Sequence, residues 1–168
     1  MRQIGEIVLY GTDGVCRVTE ITEKKFGKET TKYYVLCSLY RGNSVIYVPV
    51  GNEKLESKMR DIISREELDG IICSMPNEEN IWIENEPLRK IKYKEIITGG
   101  DRRDLFRLIK TLYDHRIIQE NSGKKMHMTD ERFMKDAEKI LYDEIAHVVG
   151  IDHREVLKYI ADKIKAVL

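Results

Sequence analysis

The pattern of hydrophobic and polar positions along the chain changes its period near residue 60. Up to about Pro49, Val, Ile, Tyr and Thr alternate with polar residues, which predicts strands at residues 6–10, 15–22, 31–38 and 44–50. A charged stretch at residues 23–29 predicts a hairpin tip between the second and third strands. Four or five short strands within about 60 residues are typical of a small SH3- or Tudor-like β-barrel.

From Ser64 onwards the hydrophobic residues recur at helical spacing. Each predicted helix has a start signal, because Ser, Thr and Asp side chains cap the first turn and Pro is tolerated there. The predicted helices are residues 65–74 after Ser64, 88–98 after Pro87, about 102–119 after Asp101, a long helix from Thr129 to near Gly150, and a last helix after Asp152.

These two patterns predict an α+β protein with two domains. The SH3/Tudor-like β-barrel is expected at residues 1–62 and a compact all-helical domain at residues 87–168. Residues 63–86 are expected to form a short helix and an acidic connector, since they include the polar, Pro-containing stretch 75–80.

Charge adds a local feature to this picture. The chain has 29 Lys and Arg against 29 Asp and Glu, so zero net charge argues against a generic nucleic-acid coat. Residues 88–125 nevertheless carry 11 basic and 5 acidic residues. Within the predicted helix 102–119, Arg103, Arg107 and Lys110 align on the face opposite the hydrophobic one. This basic segment predicts contact with a polyanion, and an ordinary solvated helix face is the alternative.

The sequence offers little support for catalysis or metal binding. The three cysteines are widely spaced and form no C-x-x-C pair, which argues against a zinc site and a disulfide framework. The four histidines are scattered, and no nucleophile–base arrangement has local support. We therefore expect a non-enzymatic cytoplasmic protein with no cofactor, no metal, no small-molecule substrate and no contact with a membrane.

Trp82 is the one tryptophan of the chain, and it allows two interpretations. It stands between hydrophobic neighbours, Ile81 and Ile83, which favours a core residue at the start of the helical domain. It also lies just before the basic segment, and aromatic side chains beside basic surfaces stack on nucleic acids or wedge into them. The residues alone leave both interpretations open.

Along its whole length the chain resembles a known family, the bacterial CarD/CdnL-type transcription regulators. In the β half the similarity lies in Gly5-Glu6-Ile7-Val8-Leu9-Tyr10, Gly14-Val15, Val18-Thr19-Glu20-Ile21, Tyr33-Tyr34-Val35-Leu36 and Val48-Pro49-Val50. In the helical half it lies in Gly100-Asp101, Leu108-Ile109-Lys110-Thr111-Leu112-Tyr113, Asp130-Glu131 and Ala137-Glu138-Lys139-Ile140-Leu141-Tyr142-Asp143-Glu144.

The resemblance implies a Tudor-like domain that docks on the β subunit of bacterial RNA polymerase. It also implies a helical domain that contacts promoter DNA at the upstream edge of the transcription bubble, stabilising the open complex with a tryptophan wedge. The expected DNA contacts are Trp82 as the wedge with Arg89, Lys90, Lys92, Arg103, Arg107 and Lys110. The expected polymerase contacts are Lys24, Tyr47, Val48 and Pro49.

This chain departs from the family pattern at two places, and two other functions are alternatives to the one that the resemblance implies. Tyr47 stands where many relatives place a basic residue, and the interval from Trp82 to Arg89 is longer than in several branches. One alternative is a free-standing DNA-binding or architectural protein. The other is an adaptor that acts through its β-barrel and does not bind DNA.

Overall fold

The computed structural model describes all residues, 1–168, and divides into two compact units. The first comprises Met1–Ile62 and the second Ile63–Leu168. The first is built on an antiparallel sheet and the second is helical, so the predicted α+β class is confirmed. None of the helices combines the length and apolar character needed to cross a membrane.

The first unit contains a five-stranded antiparallel sheet in the order β4-β3-β2-β1-β5. All four predicted strands are present, whereas the short helix α1 and strand β5 were not predicted, because three or four residues are too few to show a period. The elements are β1 Ile7–Tyr10, β2 Gly14–Phe26, β3 Glu29–Ser38, β4 Val45–Pro49, α1 Glu53–Glu56 and β5 Met59–Asp61.

The core of this unit collects side chains from all five strands. One cluster includes Tyr10 of β1, Val18 of β2, Leu36 of β3, Val48 of β4 and Met59 of β5. Because both outermost strands contribute to it, the sheet must curl around this cluster. The strands β4 and β5 do not pair with each other, so each keeps a free edge.

The hairpin between β2 and β3 is longer than the pattern predicted. The strands pair as far as Phe26 opposite Glu29, so most of the charged stretch 23–29 is strand and not loop. The turn is made at Gly27, whose φ of +64° lies in the left-handed region that glycine tolerates.

The second unit consists of five helices and a short 3₁₀ turn at Met75–Asn77. The side chains of Ser64, Asp101 and Asp152 each accept a hydrogen bond from a backbone N–H in the first turn, which confirms these predicted caps. Thr129 is not a cap: His127 is the N-cap, and Thr129 lies within the first turn. The helices are α2 Arg65–Ser74, α3 Glu86–Gly99, α4 Arg102–Asn121, α5 Met128–Val149 and α6 His153–Lys165.

The helical unit includes the segment predicted as a connector. The helix α2 packs against α4, α5 and α6, so its Leu68 and Ile72 belong to the same core as Leu108 and Leu141. The glycine that ends α3, Gly100, has a left-handed φ of +63° and allows the chain to enter α4 directly.

Candidate functional site

The segment that carries Trp82 is tied to two helices, α3 and α4. Asn80 donates a hydrogen bond from Nδ2 to Asp114 of α4 at 3.0 Å, and the backbone N–H of Ile81 donates to Thr111 Oγ1 at 3.0 Å. The hydroxyl of Tyr93 in α3 donates to the Ile81 carbonyl at 3.2 Å, and burial raises the pKa of this tyrosine to about 12. The tyrosine therefore remains a donor at physiological pH, and the segment is held in place.

The indole ring of Trp82 is half-buried and contacts a side chain on each side. The His115 ring stacks on it with centroids 3.5 Å apart and planes 15° apart. The guanidinium carbon of Arg89 lies 4.3 Å from the ring centroid, and since the imidazole covers one face, Arg89 must approach from the other. The indole Nε1–H donates to Glu84 Oε1 at 2.9 Å. We call this arrangement of Trp82, His115, Arg89 and Glu84 the tryptophan clasp.

Arg89 is fixed by a buried ion pair with Asp130 of α5. Its Nε and Nη2 donate to the two carboxylate oxygens at 2.9 and 3.0 Å, and its Nη1 donates to the Ile83 carbonyl at 2.8 Å. The exposed fractions of Arg89 and Asp130 are 3% and 1%. This burial argues against the phosphate contact expected of Arg89, because its donors are already used inside the domain. Its position instead makes it a support for Trp82.

His115 is held in its neutral form. Burial lowers the pKa of its imidazole below the usual 6.5, and the nearby Arg89 charge lowers it further, against an opposing effect of Asp130. The side-chain amide of Gln119 lies 3.1 Å from His115 Nε2. Since an amide nitrogen can only donate, this contact requires a lone pair on Nε2, as in the neutral ring.

The three basic residues predicted on α4 are bound to the acidic connector. Arg103 pairs with the Glu78 carboxylate, and Lys110 donates to the Glu78 carbonyl. Arg107 lies 3.7 Å from the same carboxylate and donates to the Glu79 carbonyl at 3.4 Å. The predicted alignment of these cations on one face is therefore correct, but Glu78 offsets part of their charge.

Two predicted DNA contacts on α3 are more accessible. Lys90 pairs with Glu86 at 2.7 Å, and Lys92 pairs with Glu95 at 3.3 Å, all of them with substantial exposure. Exposed ion pairs of this kind contribute about 0–1 kcal/mol, so either lysine can exchange its partner for a phosphate at little cost. Residues two positions apart on a helix point in roughly opposite directions, so Lys90 and Lys92 lie on either side of the buried face of α3.

In the first unit, three predicted polymerase contacts share the face of the sheet opposite the core. The ammonium of Lys24 lies 3.6 Å from the centroid of the Tyr47 ring, and Tyr33 meets the same ring edge-on at 6.2 Å. Pro49 pairs with Tyr33 and so lies on this face. Val48 is the exception: its side chain is fully buried in the core, so it cannot contact polymerase directly. We call the partly exposed group of Lys24, Tyr33, Tyr47 and Pro49 the sheet-face patch.

The free edge of β4 lies beside this patch. The Val50 N–H donates to the Lys32 carbonyl at 2.8 Å, and the Ser38 N–H donates to the Ser44 carbonyl at 3.2 Å. Hydrogen-bonded pairs alternate along antiparallel strands, so the even-numbered residues of β4 face β3. The N–H and C=O groups of Val45 and Tyr47 therefore point outward, where they can pair with a strand of another protein.

Two residues of the clasp, and the Asp130 that holds Arg89, could not be found from local sequence signals. His115 lies 33 positions beyond Trp82, and neither its spacing nor its neighbours mark it. Asp130 appears only within the family resemblance, and Glu84 only within an acidic run. No group of three or more His, Cys, Asp or Glu side chains is arranged to hold a metal ion.

Comparison with known proteins identifies the first unit. Residues 3–63 match the family model of the CarD-like/TRCF RID domain, a range that ends at the boundary between the two units. No curated protein matches the chain significantly. The match covers the curled sheet with its patch and free edge, and it agrees with the resemblance drawn from the sequence. The first unit is therefore a CarD-like/TRCF RID domain, and the match supports interaction with RNA polymerase and a role in transcription regulation.

Proposed function

We propose that this protein stabilises the promoter open complex from a docking position on the polymerase β subunit. In this proposal the first unit binds the β subunit, and the helical unit presents Trp82 to DNA at the upstream edge of the bubble. It performs no chemical reaction and acts in the bacterial cytoplasm, where polymerase works. The family match supports the first step, and the tryptophan clasp is the observation that carries the second.

Docking on the β subunit uses the β4 edge together with the sheet-face patch. Addition of a strand to a free edge supplies backbone hydrogen bonds, and side chains on the adjacent face supply specificity. Tyr47 contributes to both, because its backbone points outward and its ring lies in the patch. Many relatives have a basic residue at this position, and here Lys24 brings an ammonium to within 3.6 Å of the Tyr47 ring. The positive charge of the docking surface is therefore supplied by β2 instead of β4.

The clasp suits an aromatic wedge because it fixes the ring while leaving part of it accessible. A wedge unstacks a base step at a cost of roughly a few kcal/mol in intact duplex. That cost falls where the strands already separate, so Trp82 favours the open complex over the closed one. A difference of about 1.4 kcal/mol between the two complexes shifts their equilibrium tenfold.

Substitution of Trp82 by alanine tests the wedge. We expect the variant to bind polymerase like the wild type, because the first unit is untouched, and to shorten the lifetime of open complexes challenged with a competitor. The matched control is Trp82→Phe, which keeps an aromatic ring and should retain part of the effect. An unchanged open-complex lifetime with Trp82→Ala would refute the wedge.

Substitution of Val45 by proline tests the docking edge. Proline removes one outward N–H and is tolerated on edge strands, so the sheet should fold while polymerase binding weakens. The control is Lys54→Ala in α1, whose exposed side chain has no ion pair and whose backbone does not form the outward edge of β4. Polymerase binding by Val45→Pro at wild-type affinity would exclude this edge. Salt-sensitive DNA binding without polymerase would instead favour the free-standing DNA-binding protein.

A further inference from the structure

The helical unit contains an apolar cavity that the proposed function does not use. Its volume is about 480 Å³, and it lies between α4, α5 and α6, with Met75 and Pro76 at one side. Its wall on α4 extends from Phe106 to Arg116, a length of about 15 Å from the helical rise. Apolar cavities of roughly 300–1,000 Å³ are the size class that holds small-molecule ligands.

Two polar side chains of α5 line this cavity without partners. Glu138 and Tyr142 lie one helical turn apart, and neither makes a hydrogen bond or an ion pair within the chain. Burial raises the pKa of both groups, and the Glu138 charge raises that of Tyr142 further. Both side chains are only partly buried, so their polar atoms are available to the head group of a ligand.

The charged groups at the cavity favour an anion. Arg116 of α4 lines it with its guanidinium 5.2 Å from the Tyr113 ring and with no hydrogen bond of its own. Lys110 is a second cation in the lining. Glu138 is the one carboxylate there, and burial disfavours its charged form. Arg116 is therefore the cation available to a ligand, because the Lys110 ammonium already donates to the Glu78 carbonyl.

We propose that the helical unit binds a single-chain amphiphile with a carboxylate head. Its hydrocarbon tail occupies the cavity between α4, α5 and α6, and its head accepts hydrogen bonds from Arg116 and the Tyr142 hydroxyl. A helical peptide is a poor fit, because a helix about 10–12 Å wide fills this volume in roughly one turn. The site is separate from the tryptophan clasp, whose residues do not line the cavity.

Calorimetric titration of the full chain with fatty acids, kept below their micelle concentrations, tests the proposal. We expect one molecule of dodecanoate to bind per chain, with affinity rising by roughly fourfold per added methylene from octanoate onwards. The affinity should stop rising once the tail fills the cavity. Arg116→Gln should weaken dodecanoate binding roughly tenfold, whereas Arg132→Gln, an exposed arginine outside the lining, should not.

A variant that blocks the cavity distinguishes binding inside it from adsorption of dodecanoate on the protein surface. Ala161 is exposed at the cavity wall, so Ala161→Phe should fill the space without disturbing the core, and dodecanoate binding should be lost. Unchanged binding by this variant, or equal affinity for dodecyltrimethylammonium, would overturn the proposal. So would sedimentation that shows a dimer of the unliganded chain broken by Ala161→Phe, because a second copy would then cover the cavity.

Discussion

Replacement of His115 by alanine removes one support of the tryptophan clasp. It distinguishes a ring that acts on DNA from its position in the clasp from a ring that must first leave His115. In the structure the imidazole stacks on the indole at 3.5 Å, while Arg89 and Glu84 hold the ring from other directions. The backbone of the segment stays tied to α3 and α4 by Ile81, whose bonds do not involve His115. The substitution therefore frees the ring without releasing the segment.

The size of the expected change in open-complex lifetime follows from the lost stacking of His115 on Trp82. An aromatic pair contributes about 0.5–1.5 kcal/mol beyond area burial, and a newly mobile side chain must be ordered again on binding DNA at a comparable cost. If the wedge acts from the clasp, a loss of about 1 kcal/mol shortens the open-complex lifetime roughly fivefold. If instead the ring has to leave His115 to reach DNA, the same substitution lengthens the lifetime.

The assay is the decay of preformed open complexes after addition of a competitor, with polymerase saturated by each variant. His115→Phe is the matched control, because it retains a ring that can stack and should stay close to the wild type. We expect a shorter lifetime for His115→Ala than for His115→Phe. A longer lifetime for His115→Ala would refute the preorganised wedge and identify the stack as a latch.

The same residue predicts how stability depends on pH. Burial lowers the pKa of His115 in the folded state, so the unfolded chain binds its proton at higher pH than the native chain does. The contribution of this residue is complete above its unfolded pKa of about 6.5 and is lost as pH falls through the lowered folded value. Chemical denaturation between about pH 7 and pH 5 should therefore show a steeper loss for the wild type than for His115→Phe; parallel curves would contradict the assignment.

Three further substitutions test other contacts. Asp130→Asn leaves the Arg89 charge buried without its partner, so denaturant titration should show the helical unit about 3–5 kcal/mol less stable, and a loss under 1 kcal/mol would show that the pair is unimportant. Lys24→Met and Tyr47→Ala, measured singly and together for binding to the polymerase β subunit, should be coupled by about 0.5–1 kcal/mol, whereas additive losses would separate the two side chains. Glu78→Gln removes the carboxylate shared by two arginines of α4, so binding to duplex DNA should become tighter and more salt-sensitive in filter assays; an unchanged salt slope would show that this face does not contact DNA.

The sequence predicted those elements whose signals are local. The helix α2 was predicted with the boundaries that the structure has, since Ser64 caps it and hydrophobic periodicity extends over ten residues. The helix α5 was predicted with the wrong cap, because Thr129 lies within the first turn and the actual N-cap, His127 two residues earlier, makes no side-chain cap hydrogen bond. The strand β5 was missed because its three residues are held by pairing with β1 and not by their own pattern.

The candidate site depended on contacts between distant positions, which a single sequence does not reveal. Arg89 was predicted as a phosphate contact because it follows Trp82 at the start of a basic segment. Its burial depends on Asp130, 41 residues further along the chain. Val48 was predicted at the polymerase surface from the family resemblance, yet alternation along β4 places its side chain in the core. In both cases the side chain lies inside the protein, and the contacts predicted for the neighbouring residues stay predictions.

The distribution of charge is consistent with the proposed action on promoter DNA, because it limits binding to DNA in general. The cations of α4 are held by Glu78, and Arg89 is neutralised inside the domain, which leaves the exposed lysines of α3 as the freely exchangeable charge. Few phosphate contacts give weak DNA binding that ordinary salt suppresses. In the proposed function, attachment through the RID domain compensates for this weak binding. It raises the effective concentration of the helical unit at the promoter to about millimolar order. In the proposed function, specificity for melting DNA then comes from Trp82, because a fixed ring gains binding energy only where base stacking is already lost.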